Sequence, residues 1–397
     1  MTGNRWAVLG VLFLARTAMG FQFQSVGAIS PLLVDALGLN LASLGALIGA
    51  WMLPGVLLAI PGGLLGQRFG DKRVVVVGLA MMAAGSALLA GADDTTTAML
   101  GRVLGGSGAV LLNVLLAKMV TDWFGPGELA TAMALLVVSW PLGIGLGLVV
   151  LGPLAVATSW SFAIETTAWV CAAAGVAVLL AYRSPAHGAP PLARTSGRLA
   201  RLEAAQVGVA ATIWTFYNVG YIILVSFTPV LLVEKGFSPA GSAIVASFAT
   251  WPLVATVPVG GWLADRTGRG PQIVVACLVG MALAMPWMTI ASSPFVLLVM
   301  LAGIGLLAGP PAGIIVAVPA RVLQPSSRHL GMGLFFAVYY LGMATLPGVA
   351  GWLRGRLELS SAPLLFASAL LLAATALLGL FGRLERRRAA SPIARSR

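Results

Sequence analysis

The sequence predicts an all-α membrane protein with twelve transmembrane helices in two pseudo-symmetric six-helix bundles. Hydrophobic residues make up 59% of the 397 residues, charged residues only 9%, and the mean hydropathy is +0.97. About a quarter of the residues in a soluble domain are charged, so this composition indicates a chain that lies within lipid. The segment Gly62–Gly70 also returns in similar form as Gly260–Gly268. Each half is therefore predicted to be one copy of the same unit.

Apolar runs of about 20 residues, the length that crosses about 30 Å of hydrocarbon, define the predicted spans. They are apolar all round, which argues against the alternating segments of a membrane barrel. Span 1 contains Arg16 and Gln22 and lacks a small-residue cleavage site, so we expect a helix and not a signal peptide. In chain order the spans cover 6–33, 42–65, 74–91, 97–119, 129–151, 161–182, 207–233, 240–264, 272–291, 294–320, 330–353 and 362–382.

Composition divides the chain into three parts. Residues 1–183 are the predicted first bundle, 184–205 a cytoplasmic linker, and 206–397 the second bundle with a basic cytoplasmic tail. The linker is the longest polar stretch, and its 198–203 portion is predicted to form a helix on the membrane surface.

The formal charge of +12 raises the question of a nucleic-acid partner. Most of the 24 Lys and Arg residues, however, fall in the loops on the side of the linker and the tail. This is the positive-inside pattern of a multi-pass protein of the cell (inner) membrane with both termini cytoplasmic. No nucleic-acid partner is predicted, while the basic tail 383–388 is expected to attract anionic lipid of the bilayer.

Several motifs resemble those of the major facilitator superfamily. The loop signature of that family is similar to Gly63-x-Leu65-x-Gln67-Arg68-x-Gly70 and Gly261-x-Leu263-x-Asp265-Arg266-x-Gly268-Arg269, and its helix 4 signature is similar to Arg102-x-x-x-Gly106-x-Gly108-Ala109. A narrower likeness, to the cyanate permease and nitrate porter relatives, rests on Asp122-Trp123-Phe124, Ser139-Trp140-Pro141-Leu142-Gly143, Ile213-Trp214-x-x-Tyr217-Asn218 and Ser226-Phe227-x-Pro229. The resemblance implies the major facilitator fold and a secondary transporter that rocks between inward-open and outward-open states.

The same resemblance implies gating and coupling residues. An arginine in the loop signature can engage the carbonyl end of a neighbouring helix or a carboxylate, and such a contact breaks when the halves rock. This chain departs from the pattern at Gln67, where an aspartate is usual, and at Asp71, where a basic residue is usual. The alternative is that these loops only fix the topology. The predicted gating or coupling residues are Gln67, Arg68, Arg102, Glu165, Asp265, Arg266 and Arg269.

Arg16 is the leading candidate for substrate binding. It lies about ten residues into span 1, roughly 15 Å deep, where an ionised side chain is costly and usually functional. Gln24 lies eight positions later on the same face. A guanidinium offers a planar fork of donors to a carboxylate or similar anion, so we predict that Arg16 anchors an anionic substrate. The alternative is a structural pair with Glu165, which lies within a predicted span.

Aromatic and amide residues supply the other candidates. Those of span 7 recur at helical spacing and therefore share one face. An aromatic stripe is often simple helix packing, but amides facing lipid would be costly, which favours a cavity with a few polar anchors. The predicted substrate-binding residues besides Arg16 and Gln24 are Asn113, Trp140, Trp214, Tyr217, Asn218, Tyr221, Trp251, Tyr339 and Tyr340.

Other functions are not supported by the motifs. There is no Walker A sequence, nucleophile elbow or zinc-peptidase motif, and His187 and His329 have no ligand-spaced partner. We therefore expect that the protein is not an enzyme, that it binds no cofactor or metal, and that it is a monomer. A receptor would normally carry a sizeable soluble output domain, and the sequence shows none, so a receptor is not favoured either. Two transport hypotheses stay open: movement of a small organic or inorganic anion, with protons or a counter-anion as coupling partner, and export of hydrophobic compounds by proton antiport.

Overall fold

The computed structural model describes residues 4–183, 199–324 and 327–390, and these ranges contain helices joined by short connections. Twelve helical stretches in the described ranges are long and apolar enough to cross a membrane, so the predicted all-α class is confirmed. In chain order the helices of spans 1 to 12 are Arg5–Ala28, Leu41–Ala50 with Gly55–Phe69, Asp71–Ala90, Thr95–Trp123, Pro126–Ala157, Trp160–Ala181, Arg201–Glu234, Pro239–Ser247 with Trp251–Thr267, Gly270–Ile290, Pro294–Val316, Arg328–Leu357 and Ala362–Ala390. Short helices at Ser30–Ala36 and Val318–Val322 follow spans 1 and 10.

Spans 2 and 8, predicted as the apolar runs 42–65 and 240–264, are each divided into two helices at a proline of the kind expected to break a helix. Pro54 and Pro252 lack the backbone N–H that a helix needs, and just before each of them the α-helical hydrogen bonds give way to a tighter turn. The N–H of Met52 donates to the Gly49 carbonyl, and the N–H of Thr250 donates to the Ser247 carbonyl, both over 2.8 Å and both three residues back. The two breaks are equivalent in the repeat.

The segment before span 7 also differs from the expectation. The predicted linker 184–205 includes 184–198, which lies outside the described residues. From Arg201 the chain already belongs to the helix of span 7, so residues 201–205 are part of that span and not of a separate surface helix. Glu203 holds this end in place, because its carboxylate accepts the N–H of Ala200 at 3.3 Å and of Gln324 at 3.2 Å.

Ion pairs mark the two membrane faces. Arg5 pairs with Glu128 over 2.8 Å, which joins the beginnings of spans 1 and 5, and we call this face the terminal side. Glu234 pairs with Arg354, which joins the ends of spans 7 and 11 on the opposite face, here called the far side. Lys235 lies on the far side and donates to the Thr289 and Ala291 carbonyls at the end of span 9.

The two halves meet mainly on the far side. Span 11 packs closely on Leu41–Ala50 and much less on Gly55–Phe69, and span 5 packs more on Pro239–Ser247 than on Trp251–Thr267. We call these contacts the far-side seam. They require glycine, because a Cβ on Gly49 would clash with the backbone of Ala344. The protein is therefore closed on the far side and more open between its halves on the terminal side.

Candidate binding site between the two halves

Arg16 lies near the middle of the span 1 helix and has an unused donor. Its side chain is partly buried, and its Nε is buried without a hydrogen-bond partner among the described residues. The guanidinium is in electrostatic contact with Tyr339 and Tyr340 of span 11, in the opposite half. It forms no ion pair with Glu165, so the structural alternative for Arg16 is not observed. A buried donor without a partner is costly, and a ligand can remove that cost.

The halves touch at Tyr340. The side chain of Asn113, in span 4, lies next to that of Tyr340. The Tyr340 ring also rests on Gly55, just after the break in span 2, where a Cβ would clash with the ring. Arg16 and Asn113 of the first half therefore meet Tyr339 and Tyr340 of the second half. The structure brings these four candidates together, and their role in substrate binding stays a prediction.

An aromatic wall continues from this point into the second half. Trp214 and Tyr339 have ring centroids 6.2 Å apart, and Tyr339 and Tyr340 lie 5.1 Å apart. Phe336 joins them, with its centroid 6.5 Å from Tyr339 and 6.3 Å from Tyr340. Trp214, Phe336 and Tyr339 are all partly buried. We call Trp214, Phe336, Tyr339 and Tyr340 the aromatic wall. Phe336 was not among the sequence candidates, although it precedes Tyr339 by three positions and Tyr340 by four.

Three other candidates of span 7 use their polar groups within the second half. The Tyr217 hydroxyl donates to the Ala308 carbonyl at 2.5 Å, and Tyr221 donates to Thr250 at 2.9 Å. The amide of Asn218 donates to the Trp214 carbonyl, one turn back in the same helix, at 2.8 Å. The tyrosines therefore hold span 7 to spans 10 and 8.

The remaining candidates lie toward the far-side seam. Gln24 is 1% exposed and donates to the Val225 carbonyl of the other half at 3.3 Å. Trp251 donates to Ser247 at 3.0 Å and faces span 5 at Gly145. Trp140 contacts Phe23, at 5.2 Å between ring centroids, and Trp51, at 5.8 Å. These residues close the site on the far side.

Arg102 is buried and fully engaged. Its guanidinium donates to the carbonyls of Leu47 at 3.1 Å and Ile48 at 3.4 Å, and to those of Gln22 at 3.4 Å and Phe23 at 3.2 Å. The Leu47 and Ile48 carbonyls lie at the end of helix Leu41–Ala50, where the last carbonyls have no intrahelical partner. Arg102 therefore caps the helix that ends at the break in span 2.

Gln22 forms a second polar centre that the sequence candidates did not include. Its amide donates to the Met82 carbonyl at 2.7 Å and to Ser86 at 3.0 Å, and it accepts the indole N–H of Trp51 at 3.0 Å. Thr167 donates to Ser86 at 2.7 Å, so the network joins spans 1, 2, 3 and 6. These four spans are held as one body. The sequence feature that could have identified Gln22 is an amide side chain within an apolar run.

The predicted gate residues of the loops are solvent-exposed in this structure. Arg68 lies over the Phe69 ring at 5.3 Å, and Arg266 lies over the Trp262 ring at 5.2 Å. Exposed side chains also occur at Gln67, Asp265 and Arg269, and Glu165 is partly buried. In the parts of the chain that the structure describes, none of these residues forms an ion pair. Their gating role stays a prediction.

The departure at Asp71 has a structural explanation. Lys118 of span 4 pairs with Asp71, at the start of span 3, and with Asp122 over 3.1 Å. The reversed charge at Asp71 therefore has its counter-charge within the same half. Lys118 was not among the predicted gating residues.

Two bundles of six spans, related by a repeat and enclosing a cationic side chain, are the architecture of a membrane transporter for small molecules. The family model described as Major Facilitator Superfamily matches residues 12–255 and 209–396, and the chain belongs to that superfamily. It is a multi-pass membrane transporter and not an enzyme.

Individual proteins are similar over different shares of the chain. The 3-(3-hydroxy-phenyl)propionate transporter of Escherichia coli (strain K12) is 26% identical over 86% of this chain and 85% of its own length. The hexuronate transporter of Bacillus subtilis (strain 168) is 26% identical over 40% of this chain and 37% of its own length. A bacterial homolog of the human lysosomal transporter Spinster, in an inward-facing and occupied conformation, shares the fold with a TM-score of 0.75 at 17% identity, over 99% of this chain and 100% of that one.

Proposed function

We propose that this protein is a secondary active transporter that moves a small organic or inorganic anion by rocker-switch alternating access. The observation that carries the proposal is the buried Nε of Arg16, which has no hydrogen-bond partner in the described chain. An anion at this place supplies the missing acceptor and the missing counter-charge. The planar guanidinium fork suits a carboxylate, which can accept two parallel hydrogen bonds from it.

The comparisons support an anionic substrate. The two bacterial transporters described above are named for hydroxyphenylpropionate and hexuronate, which are both carboxylates. Our narrower likeness to cyanate and nitrate transporters points to anions as well and stays a prediction. The competing hypothesis, export of hydrophobic compounds by proton antiport, leaves Arg16 without a counter-charge when an uncharged substrate is bound.

The uneven packing of the halves supports the mechanism. We propose that the seam opens and the terminal side closes in the alternative state, with the site between them exposed to each side in turn. The domain boundaries at 183 and 206, the cytoplasmic termini in the inner membrane and the monomeric state belong to this proposal. Protons or a counter-anion are the proposed coupling partners. The predicted gate residues of the two loops, Gln67, Arg68, Asp265, Arg266 and Arg269, act on the terminal side.

Substitution of Arg16 tests the function. We expect Arg16→Ala to weaken binding of the best ligand by about 2–5 kcal/mol, the usual penalty for removing one side of a desolvated charge pair. Arg16→Lys should recover only part of the affinity, because a point charge does not reproduce the fork. Calorimetry on purified full-length protein, with a panel of acetate, benzoate, glucuronate and nitrate, measures both effects.

The matched control is Arg73→Ala, which removes an exposed arginine at the start of span 3 on the terminal side. It should leave the affinity unchanged. Near wild-type binding of an anion by Arg16→Ala would contradict the proposed role of Arg16, and a protein that binds none of the anions would contradict anion transport.

A further inference from the structure

We propose that the site selects aromatic monocarboxylates, with the carboxylate on Arg16 and the ring against the aromatic wall. This inference rests on the proposed function and specifies its substrate class. Its three supports are the number of free positive charges, the composition of the wall and the small number of free polar groups around it.

The charge count favours one negative charge. Arg102 also lies within the first half, but its guanidinium is committed to four backbone carbonyls and is 2% exposed. Lys118 is paired with two aspartates on the terminal side. Arg16 alone among these three has a buried donor without a partner. A dianion would bring a second charge into the site without a partner, and the cost of burying an unpaired charge is high.

The wall favours a flat ring. Trp214, Phe336, Tyr339 and Tyr340 form a chain of aromatic contacts with centroids 5.1 to 6.5 Å apart. Aromatic pairs in offset or edge-to-face arrangements contribute about 0.5–1.5 kcal/mol beyond the area that they bury. Trp214, Phe336 and Tyr339 are only partly buried, so part of each ring is left for a ligand to cover.

The polar groups near the wall argue against sugar acids. A ligand with many hydroxyl groups needs a partner for each of them when it leaves water. The hydroxyls of Tyr217 and Tyr221 are already bonded to Ala308 and Thr250, and the amide of Asn218 donates to Trp214. Asn113 is in contact with Tyr340. Besides Arg16, the wall itself offers the indole N–H of Trp214 and the hydroxyls of Tyr339 and Tyr340, which are fewer groups than a polyhydroxylated acid needs.

The two parts of the site belong to opposite halves. Arg16 lies in span 1 and the aromatic wall in spans 7 and 11. A ligand with a carboxylate at one end and a ring at the other contacts both halves at once, so its binding favours a state in which they approach. A small anion that reaches only Arg16 lacks this second contact. Differential affinity of this kind is what shifts a conformational equilibrium.

A ligand series tests the inference with purified full-length protein and calorimetry. The probes are 3-phenylpropionate, 3-cyclohexylpropionate, propionate, the neutral 3-phenylpropionamide and the dianion phenylsuccinate. We expect 3-phenylpropionate to bind about two- to twelvefold more tightly than 3-cyclohexylpropionate, the range of an aromatic pair beyond its buried area. We expect propionate, the amide and the dianion to bind more weakly than 3-phenylpropionate.

Variants of the wall give a second readout. Trp214→Leu and Tyr339→Leu should reduce the preference for the phenyl over the cyclohexyl acid, while the affinity for propionate stays the same. Trp169→Leu is the matched control, because Trp169 is 66% exposed in span 6 and lies outside the site. It should leave the preference intact.

The outcomes separate the two proposals. Equal affinity for the phenyl and cyclohexyl acids, or tighter binding of phenylsuccinate, would overturn the inference while leaving anion transport in place. A protein that binds neither these acids nor acetate and nitrate would overturn the proposed function together with it.

Discussion

Two arginines at membrane depth have opposite surroundings in this protein. Both interrupt apolar runs, and for that reason both could be identified from the sequence as costly and therefore important. The sequence did not decide their roles, because the partners of Arg102 are backbone carbonyls of spans 1 and 2, and those of Leu47 and Ile48 become available only where a helix ends. Arg16 lies beside two tyrosines of the other half and keeps an unbonded Nε. Its surroundings depend on how two distant segments pack.

This contrast predicts different effects on stability. Arg102→Ala leaves the Leu47 and Ile48 carbonyls without their donor, at about 1–3 kcal/mol for each buried unsatisfied group. We expect the thermal midpoint of the purified protein to fall by several degrees, whereas Arg16→Ala should remain near the wild type. Arg16→Ala is the matched control, since it removes the same side chain from the same half. Equal midpoints for the two variants would contradict the capping role of Arg102.

At the scale of elements, the interrupted spans and the glycine contacts determine where the halves meet. The repeat and its prolines were visible in the sequence, and Pro54 and Pro252 occupy equivalent positions. Prolines within the spans were expected to break or bend their helices, but the sequence did not decide which of them divide a span: Pro54 and Pro252 lie at breaks, whereas Pro141 and Pro347 lie inside continuous helices. The glycines of the seam could not be recognised from the sequence alone, because their role depends on which helix packs against them.

A larger side chain in the seam should shift the protein toward the state that is open on the far side. Gly49→Leu places a side chain against the backbone of Ala344, and overpacking of this kind costs about 1–3 kcal/mol. That cost corresponds to a population shift of about fivefold or more. A cysteine at Ser30, which is buried on the far side and donates to the Ser226 carbonyl of the other half, should then react faster with a membrane-impermeant maleimide.

The background for this experiment lacks Cys171 and Cys277, which are both buried. Gly303→Leu is the control, because no atom lies within 4 Å of a Cβ at that position. An unchanged labelling rate in Gly49→Leu would show that this contact does not hold the seam closed.

At the scale of the whole molecule, composition, span length and the repeat were sufficient to predict twelve spans in two related halves. These signals are local or periodic, so they do not depend on how the two bundles are placed relative to each other. The sequence did not predict which side is closed, because that depends on how two similar bodies are placed relative to each other. The difference between two such arrangements is typically a few kcal/mol spread over many contacts.

A disulfide across the seam tests alternating access. A Cβ on Gly348 would lie 3.7 Å from the Cβ of Ala46, which matches the spacing of about 3.5–4.5 Å in a disulfide. In a background without other cysteines, we expect oxidised Ala46→Cys/Gly348→Cys to lose transport in proteoliposomes. It should still bind ligand from the terminal side, because that side is already open. A reductant should restore transport, and each single variant should transport normally under both conditions.

The same locked protein reports the orientation in the membrane. If both termini are cytoplasmic, the oxidised double variant should bind ligand in inside-out vesicles and fail to bind it in right-side-out vesicles, because the far-side seam then blocks the outer entrance. Binding in right-side-out vesicles alone would reverse the assigned orientation. Full transport by the oxidised double variant would contradict alternating access at this seam, since a covalently closed far side leaves a rocking protein no second opening.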